Sequence, residues 1–388
     1  MSAMALSEEA GRRICMLTEF MLGKPVFESY KSLCSKIGGE TISYQEFDFW
    51  FHRFAQGKLD LSYDRSLDAK PKELSDMPID IIEKVADYFS PMDRLVVRCV
   101  SQNLRALVEN RIAARCDFVC VYVRSDNIDV YTRHKPDSYS KNGTIKYKKQ
   151  EDDCLMINDG VERLVKGADP FQLAAEHLSI VLKNPDIELE DFWLSEYGGN
   201  NGETFTSLLN SAMGDDVFVV HDLKLGPTSF GALLNILPCI VPEELLLIEM
   251  DEIEEGEDDD AKIAEIVEMD QWKNVKVFWL SGMKPVPIDS VAHSNRFNVN
   301  QNDVSPQEFV RIREILFKSP DFEFCNIYSA EEYNLIAIQE ALGPSIRPDL
   351  PEMKVYAIPD STGFLSFSFD DETLVCIRRH NSEDFDFF

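Results

Sequence analysis

The sequence predicts an α+β protein in which an all-α N-terminal part is followed by an α/β repeat domain. Three observations carry this. Residues 7–57 hold three helix-like segments, each with its own stop signal, and residues 74–114 hold a second set of short capped amphipathic segments. From about residue 117 the apolar period changes to that of strands, which then recur along the chain with helical patterns between most of them.

The first block divides into Glu8–Leu22, closed by Gly23-Lys24-Pro25; Val26–Ile37, closed by Gly38-Gly39; and Tyr44–Gln56, closed by Gly57. Ser43 opens the third segment with Glu46 three residues on, a capping box in which each side chain satisfies an otherwise orphaned N–H. Phe47, Trp50, Phe51 and Phe54 fall at i, i+3, i+4 and i+7 and share one face, so residues 7–57 read as a three-helix unit. Residues 58–73 mix Asp, Lys, Arg and Ser with one Pro and little apolar periodicity, which reads as a linker.

In residues 74–114, Pro78 suits the first turn of a helix, where its missing N–H costs nothing, and Ile81, Ile82, Val85 and Phe89 form one apolar stripe. Ser90, Pro91 and Asp93 restart a helix whose buried side is Leu95, Val96 and Val100. Ser101 can cap a third, with Leu104, Leu107 and Val108 inward. Three short helices supply too little core to stand alone, so some of these apolar positions are expected to find partners elsewhere.

Val119–Val123 and Ile128–Tyr131 read as a hairpin around Ser125-Asp126-Asn127, Thr144–Tyr147 and Cys154–Ile157 as two more strands, and Phe171–Leu182 as a helix. Strand-like runs then begin at Ile187, Val217, Leu245, Val275, Arg296, Phe322 and Lys354, with spacings of 30, 28, 30, 21, 26 and 32 residues. Helical patterns lie at Phe230–Leu237, Ala261–Trp272, Pro306–Lys318 and Ala330–Leu342. A strand-plus-helix unit of this length cannot bury its own faces, and stacking such units gives a leucine-rich-repeat-like solenoid. The chain lacks a clear L-x-x-L-x-L with its Asn; a doubly wound sheet, the rival, would usually carry a Gly-rich turn after its first strand.

Net charge is −30 over 388 residues, unevenly placed: residues 1–150 hold 23 Lys+Arg against 21 Asp+Glu, and residues 151–388 hold 16 against 48. Such a C-terminal part repels phosphate and suits a basic partner surface, although the charge can equally serve solubility alone. Glu249–Asp260 carries nine acids in twelve residues without the spacing of a calcium loop, and reads as a solvated loop. No run approaches the about 20 apolar residues of a membrane span, and nine singly scattered cysteines read as reduced thiols. The expectation is a soluble cytoplasmic and/or nuclear protein.

Chemistry is sparse. There is no CxxC or HExxH, the six histidines have no ligand spacing, and Gly198–Gly202 lacks the Lys-[Ser/Thr] ending of a phosphate loop and reads as a turn. No cysteine sits in the electropositive setting a nucleophile needs. No catalytic residue, metal or cofactor is expected.

The pattern L-x-x-[LM]-P-x-x-[IL]-[IL]-x-x-[IV], then Pro-x-Asp-x-Leu and a [CV]-[CV]-S step, is similar to the F-box. Glu268–Leu280, with the run from Phe309 through Ser319-Pro320 to Glu323, looks like the FTH domain of the nematode F-box A family, placing an FTH-like region at about 205–330. Residues 8–57 resemble the mariner-transposase-type helix-turn-helix that some members carry. The resemblance implies that Leu74, Pro78, Ile81, Ile82 and Val85 enter the groove of a Skp-type adaptor, with Leu95 and Val100 supporting. It also implies a non-catalytic substrate-recognition subunit of an SCF-type cullin ubiquitin ligase, whose residues 115–388 bind a protein substrate. The rival is nucleic-acid binding through the third N-terminal helix, offering Gln45, His52 and Arg53 to a groove. Against it, residues 1–60 hold 7 Lys+Arg and 8 Asp+Glu. A ubiquitin-independent scaffold that holds a regulatory protein is the third reading.

Overall fold

Apolar spacing at the N-terminus yields three helices, α1 (Glu8–Met21), α2 (Val26–Ile37) and α3 (Tyr44–Ala55). The computed structural model describes residues 8–37, 42–64, 77–86, 97, 100, 102, 104–105, 116–133, 143–158, 160–198, 201–251, 256, 258–282, 284–302, 304–350 and 352–381. They fall into two units that divide between Asp76 and Met77. In the first, the Ser43 side chain accepts from the Glu46 N–H at 3.2 Å, and Phe47, Trp50 and Phe54 bury one face of α3 against Met16 and Leu33. Leu61 and Tyr63 pack on the same cluster, and Arg13 donates to the Leu61 carbonyl at 2.8 Å, so the start of the stretch read as a linker is joined to the helices. Glu19 on α1 is 3% exposed, and Lys36 on α2 reaches its carboxylate at 2.5 Å.

The second unit opens with α4 (Ile79–Ala86), whose start carries Pro78 as expected. Five antiparallel strands follow: β1 (Phe118–Arg124), β2 (Asn127–Arg133), β3 (Gly143–Gln150), β4 (Asp153–Asn158) and β5 (Val161–Val165). Helix α5 (Pro170–Leu182), capped by Asp169, crosses back over β2, β3 and β4, and β6 (Glu188–Tyr197) then pairs in parallel with β1. Each later strand adds beside its predecessor: β7 (Val219–Leu225), β8 (Leu247–Met250), β9 (Val277–Leu280), β10 (Arg296–Asn300) and β11 (Phe324–Tyr328), all parallel. The crossovers hold α6 (Asn201–Met213), α7 (Phe230–Ile236), α8 (Asp259–Ile266), α9 (Asp270–Asn274) and α10 (Pro306–Phe317). After α11 (Leu335–Leu342) come β12 (Met353–Ala357), β13 (Phe364–Asp371) and β14 (Leu374–His380). Among the described residues the strands form one sheet, ordered β12-β13-β14-β11-β10-β9-β8-β7-β6-β1-β2-β3-β4-β5.

Several expectations change. The seventh strand-like run does not extend the parallel series, because β14 returns antiparallel onto β11 and leaves β12 at the edge, paired with β13. The helix expected over Ala261–Trp272 is two, since Met269 is extended between α8 and α9. That break lets both Ile266 and Trp272 face inward, and the Trp272 indole N–H donates to the Ser290 carbonyl at 2.9 Å. The last helix starts later, at Leu335, where Asn334 accepts from the Ala337 N–H. Helix α6 had no counterpart in the sequence reading. Its first N–H, on Asn201, is accepted by Glu196, a buried carboxylate at the end of β6.

Along β6–β11 the buried residues alternate as a half-covered sheet requires. Phe192, Leu194, Leu223, Leu225, Ile248, Met250, Phe278, Leu280, Phe297, Val299, Cys325 and Ile327 join the helices in one core. Each fully buried side chain of this size contributes about 1.5–3 kcal/mol relative to exposure.

Two predictions follow from these packings. A Cβ on Gly202 would lie 2.5 Å from Glu196 Oε2 and 3.0 Å from Thr228 Oγ1. Alanine gains about 1 kcal/mol of helix propensity, but overpacking costs about 1–3 kcal/mol, and Glu196 is held by its bond to Asn201. Gly202→Ala is therefore expected to lower the urea midpoint with the slope unchanged; a rise in the midpoint would contradict the packing. In the first unit, burial raises the Glu19 carboxyl, but the bonds from Lys36 and Ser32 outweigh it and hold it below its ordinary value of 4.5. Since the folded value is depressed, this stabilisation is present above pH 4.5 and is lost as pH falls through the folded value. Lys36→Met leaves the buried carboxylate without its cationic partner, held by Ser32 alone, and is expected to cost about 1–3 kcal/mol in hydrogen-exchange protection of α1 and α2 at neutral pH. Undiminished protection would show the pair to be idle.

Candidate functional site

Two surfaces of the second unit are candidates for a binding site. The first is α4. Pro78 sets its opening turn, with its carbonyl accepting from the N–H groups of Ile81 at 3.0 Å and Ile82 at 3.3 Å. Ile81 and Val85, one turn apart, are 43% and 46% exposed, so this pair of branched side chains shows half its surface to solvent. Ile82 is half-buried, Pro78 is exposed and Val100 is 68% exposed, whereas Leu104 is buried. Leu74 and Leu95 lie outside the described residues, as do Phe89, Leu107 and Val108. An aliphatic stripe left in water on a short helix is a surface that gains by being covered.

The helix expected to read nucleic acid is otherwise engaged. The Arg53 guanidinium lies 3.5 Å from the centroid of the Tyr63 ring, and His52 faces Asp48 at 3.4 Å. Gln45 is exposed. Arg13 sits over the Trp50 ring at 4.4 Å. Both guanidinium groups thus pack on aromatic rings of their own unit.

The second surface is the face of the sheet opposite the core. In register across β6–β9 it presents Trp193, Lys224, Glu249 and Trp279 as one transverse row. Trp193 and Trp279 are 40% and 43% exposed. Behind the row, Asp191 and Asp222 are paired in register. Lys224 Nζ reaches Asp191 at 2.5 Å and Asp222 at 4.0 Å. Burial pushes the Asp222 carboxyl above its ordinary value, Lys224 counters this, and neighbouring Asp191 adds to the rise. Burial would lower the Lys224 ammonium, but its bond to Asp191 outweighs that and holds it above the ordinary lysine value. Beyond Trp193 the row continues through Cys120 to Tyr131. There a cavity of about 330 Å³ is lined by Phe118, Cys120, Tyr122, Tyr131, Thr132 and Arg133. The Cys120 bond and burial push the Tyr122 hydroxyl up to about 12. The sequence reading did not single out either tryptophan, although β6 and β9 share the triplet Phe-Trp-Leu, in which Phe and Leu face the core and Trp does not.

Among the described residues the buried thiols are not activated as nucleophiles. Burial pushes the thiols of Cys154 and Cys239 up to about 11, and Cys120 and Cys325 are also raised by burial. Such groups stay protonated and inert at neutral pH. Among the described residues no group of His, Cys, Asp and Glu could hold a metal ion, and no helix is long and apolar enough to cross a membrane.

Comparison with known proteins assigns these segments. Residues 12–58 match the HTH domain in Mos1 transposase, residues 74–112 the F-box domain and residues 201–345 the FTH domain. F-box A protein 155 of Caenorhabditis elegans is 32% identical over 74 residues, which is 19% of this chain and 18% of that protein. Among solved structures, a chain in the crystal structure of the Mos1 Strand Transfer Complex aligns at 14% identity over 50% of this chain and 71% of that one, with a TM-score of 0.14. F-box A protein 224 of Caenorhabditis elegans is 30% identical across 95% of this chain and 98% of its own length. With a helix-turn-helix, an F-box and an FTH domain in that order and a relative aligned along nearly its whole length, the chain belongs to the nematode F-box A family.

Proposed function

We propose that this protein is the substrate-recognition subunit of an SCF-type cullin ubiquitin ligase. In this reading α4 docks on a Skp-type adaptor, and the sheet domain acts as a leucine-rich-repeat-like receptor for a protein substrate. The single observation that carries the reading is the exposed Ile81–Val85 stripe within the segment that matches the F-box domain. Leu74, Pro78, Ile82, Leu95 and Val100 complete the proposed adaptor contact. The solenoid reading is supported by strands β6–β11, which follow one another in chain order with a crossover between each and the next. The work is positional: tethering substrate and charged ubiquitin enzyme to one scaffold raises the effective concentration of substrate lysines, and the bond-making groups belong to partners.

Because Ile81 and Val85 are exposed, polar replacements there disturb folding little, which makes them cleaner probes than buried positions. Ile81→Asp with Val85→Asp is expected to weaken co-purification of adaptor and cullin at least about tenfold, while the thermal midpoint changes little. A wild-type chain that brings down no adaptor would sink the ligase reading. The nucleic-acid rival rests on the match of residues 12–58 to the HTH domain in Mos1 transposase; against it, residues 1–60 hold 7 Lys+Arg and 8 Asp+Glu, and Arg53 packs on Tyr63 within that unit. The full chain is expected to give no salt-sensitive shift with a pool of DNA duplexes; a retained shift abolished by Arg53→Ala would reinstate that rival.

A further inference from the structure

The transverse row on the open face has a chemistry and a spacing that fit one kind of ligand. Trp193 and Trp279 are separated by three strand-to-strand steps, through Lys224 and Glu249. At about 4.8 Å per step this is about 14 Å. An extended polypeptide advances about 3.3 Å per residue and turns alternate side chains to the same side, so residues i and i+4 share a face about 13 Å apart. We propose that this face binds an extended arginine- and lysine-rich protein segment lying across the strands, with cationic side chains four residues apart stacked on Trp193 and Trp279. The inference rests on the sheet domain being the substrate receptor, and names the class of substrate that receptor takes.

Charge selects the occupant. The row places Glu249 beside Trp279, and Asp251 follows on the same strand end, with its N–H donating to the Leu225 carbonyl. Lys224, the one cation of the row, is already compensated by Asp191 and Asp222. Arg296, one strand beyond Trp279, is paired with Glu323 at 2.6 Å. An anionic segment or a nucleic acid would meet this carboxylate field with repulsion. A cation meets indole rings, the best aromatic platforms for it, next to carboxylates that steer it in.

The test uses the full chain and two fluorescein-labelled peptides of the same composition, in about 0.15 M salt so that diffuse attraction is screened. One carries three arginines at every fourth position among Gly and Ser; the other carries the same arginines consecutively. The spaced peptide is expected to bind several-fold more tightly than the clustered one. Trp193→Ala and Trp279→Ala are each expected to weaken it about fivefold to thirtyfold, from the range of desolvated cation–π contacts. Glu249→Gln weakens it less, and Glu340→Gln, on α11, leaves it unchanged. Equal affinity for both peptides, or tryptophan variants that bind as wild type does, would overturn the proposal and leave only a general attraction of an acidic chain for arginine. The same preparations are scored for adaptor co-purification. Adaptor retained without peptide binding overturns this inference alone, whereas spaced-peptide binding that needs both tryptophans supports it even if the adaptor fails to bind and the ligase reading falls.

Discussion

Successive parallel strands that stay in chain order must all be joined on one side of their sheet. A right-handed crossover followed by a step in the same direction always returns over the same face, and only a reversal of strand order puts helices on the other. From β6 to β11 this chain never reverses. Its crossover helices therefore gather on one face, and the core forms there from Phe192, Leu223, Ile248, Phe278, Phe297 and Cys325, one from each strand. The opposite face has no crossover to cover it, and its side chains are released from the requirement to be apolar.

That release explains an otherwise odd arrangement. A row holding tryptophan, lysine, glutamate and tryptophan would be costly in a core, yet here it stands on a surface whose rigidity comes from the layer beneath. Trp272 closes that layer under β9, packing its ring 4.4 Å from that of Phe278, the immediate neighbour of Trp279. The sheet's flanks are antiparallel: the β1–β5 meander extends one end, and β14 with β13 and β12 closes the other. Because β14 pairs along all of β11, from Phe324–Arg378 to Tyr328–Leu374, the parallel series ends on a partnered strand and not on a bare edge.

Local pattern was the legible part of this fold. Strands anticipated at Ile187, Val217, Leu245, Val275, Arg296, Phe322 and Lys354 begin at Glu188, Val219, Leu247, Val277, Arg296, Phe324 and Met353. Alternation and turn residues are properties of neighbouring positions, so one sequence suffices to see them. Pairing is not local, and nothing within residues 353–357 states that their partner is β13 and not β11. Helix α6 was hidden because Gly202 and the polar residues around it read as a turn, whereas its first N–H is satisfied by Glu196 from another element. The same limit applies to α4. An apolar stripe predicts burial without saying by what, and the exposure of Ile81 and Val85 only emerges once their unit is folded. Trp193 and Trp279 were readable as out-facing, since Phe-Trp-Leu in a half-covered strand leaves the middle residue outside, but their register with each other was not.

In the proposed role the protein acts by holding and not by reacting. Burial drives the thiols of Cys154, Cys239 and Cys325 toward the protonated, unreactive form. On the reading proposed above, its two contacts also differ in kind. The stripe on α4 is aliphatic, so covering it is driven by area removed from water and is little affected by salt. The tryptophan row is aromatic and acidic, so its hold depends on ionic strength and on where the partner's charges fall. Separating the two drives lets substrates exchange on the open face while the tether stays made, and that exchange is what a subunit working by proximity requires.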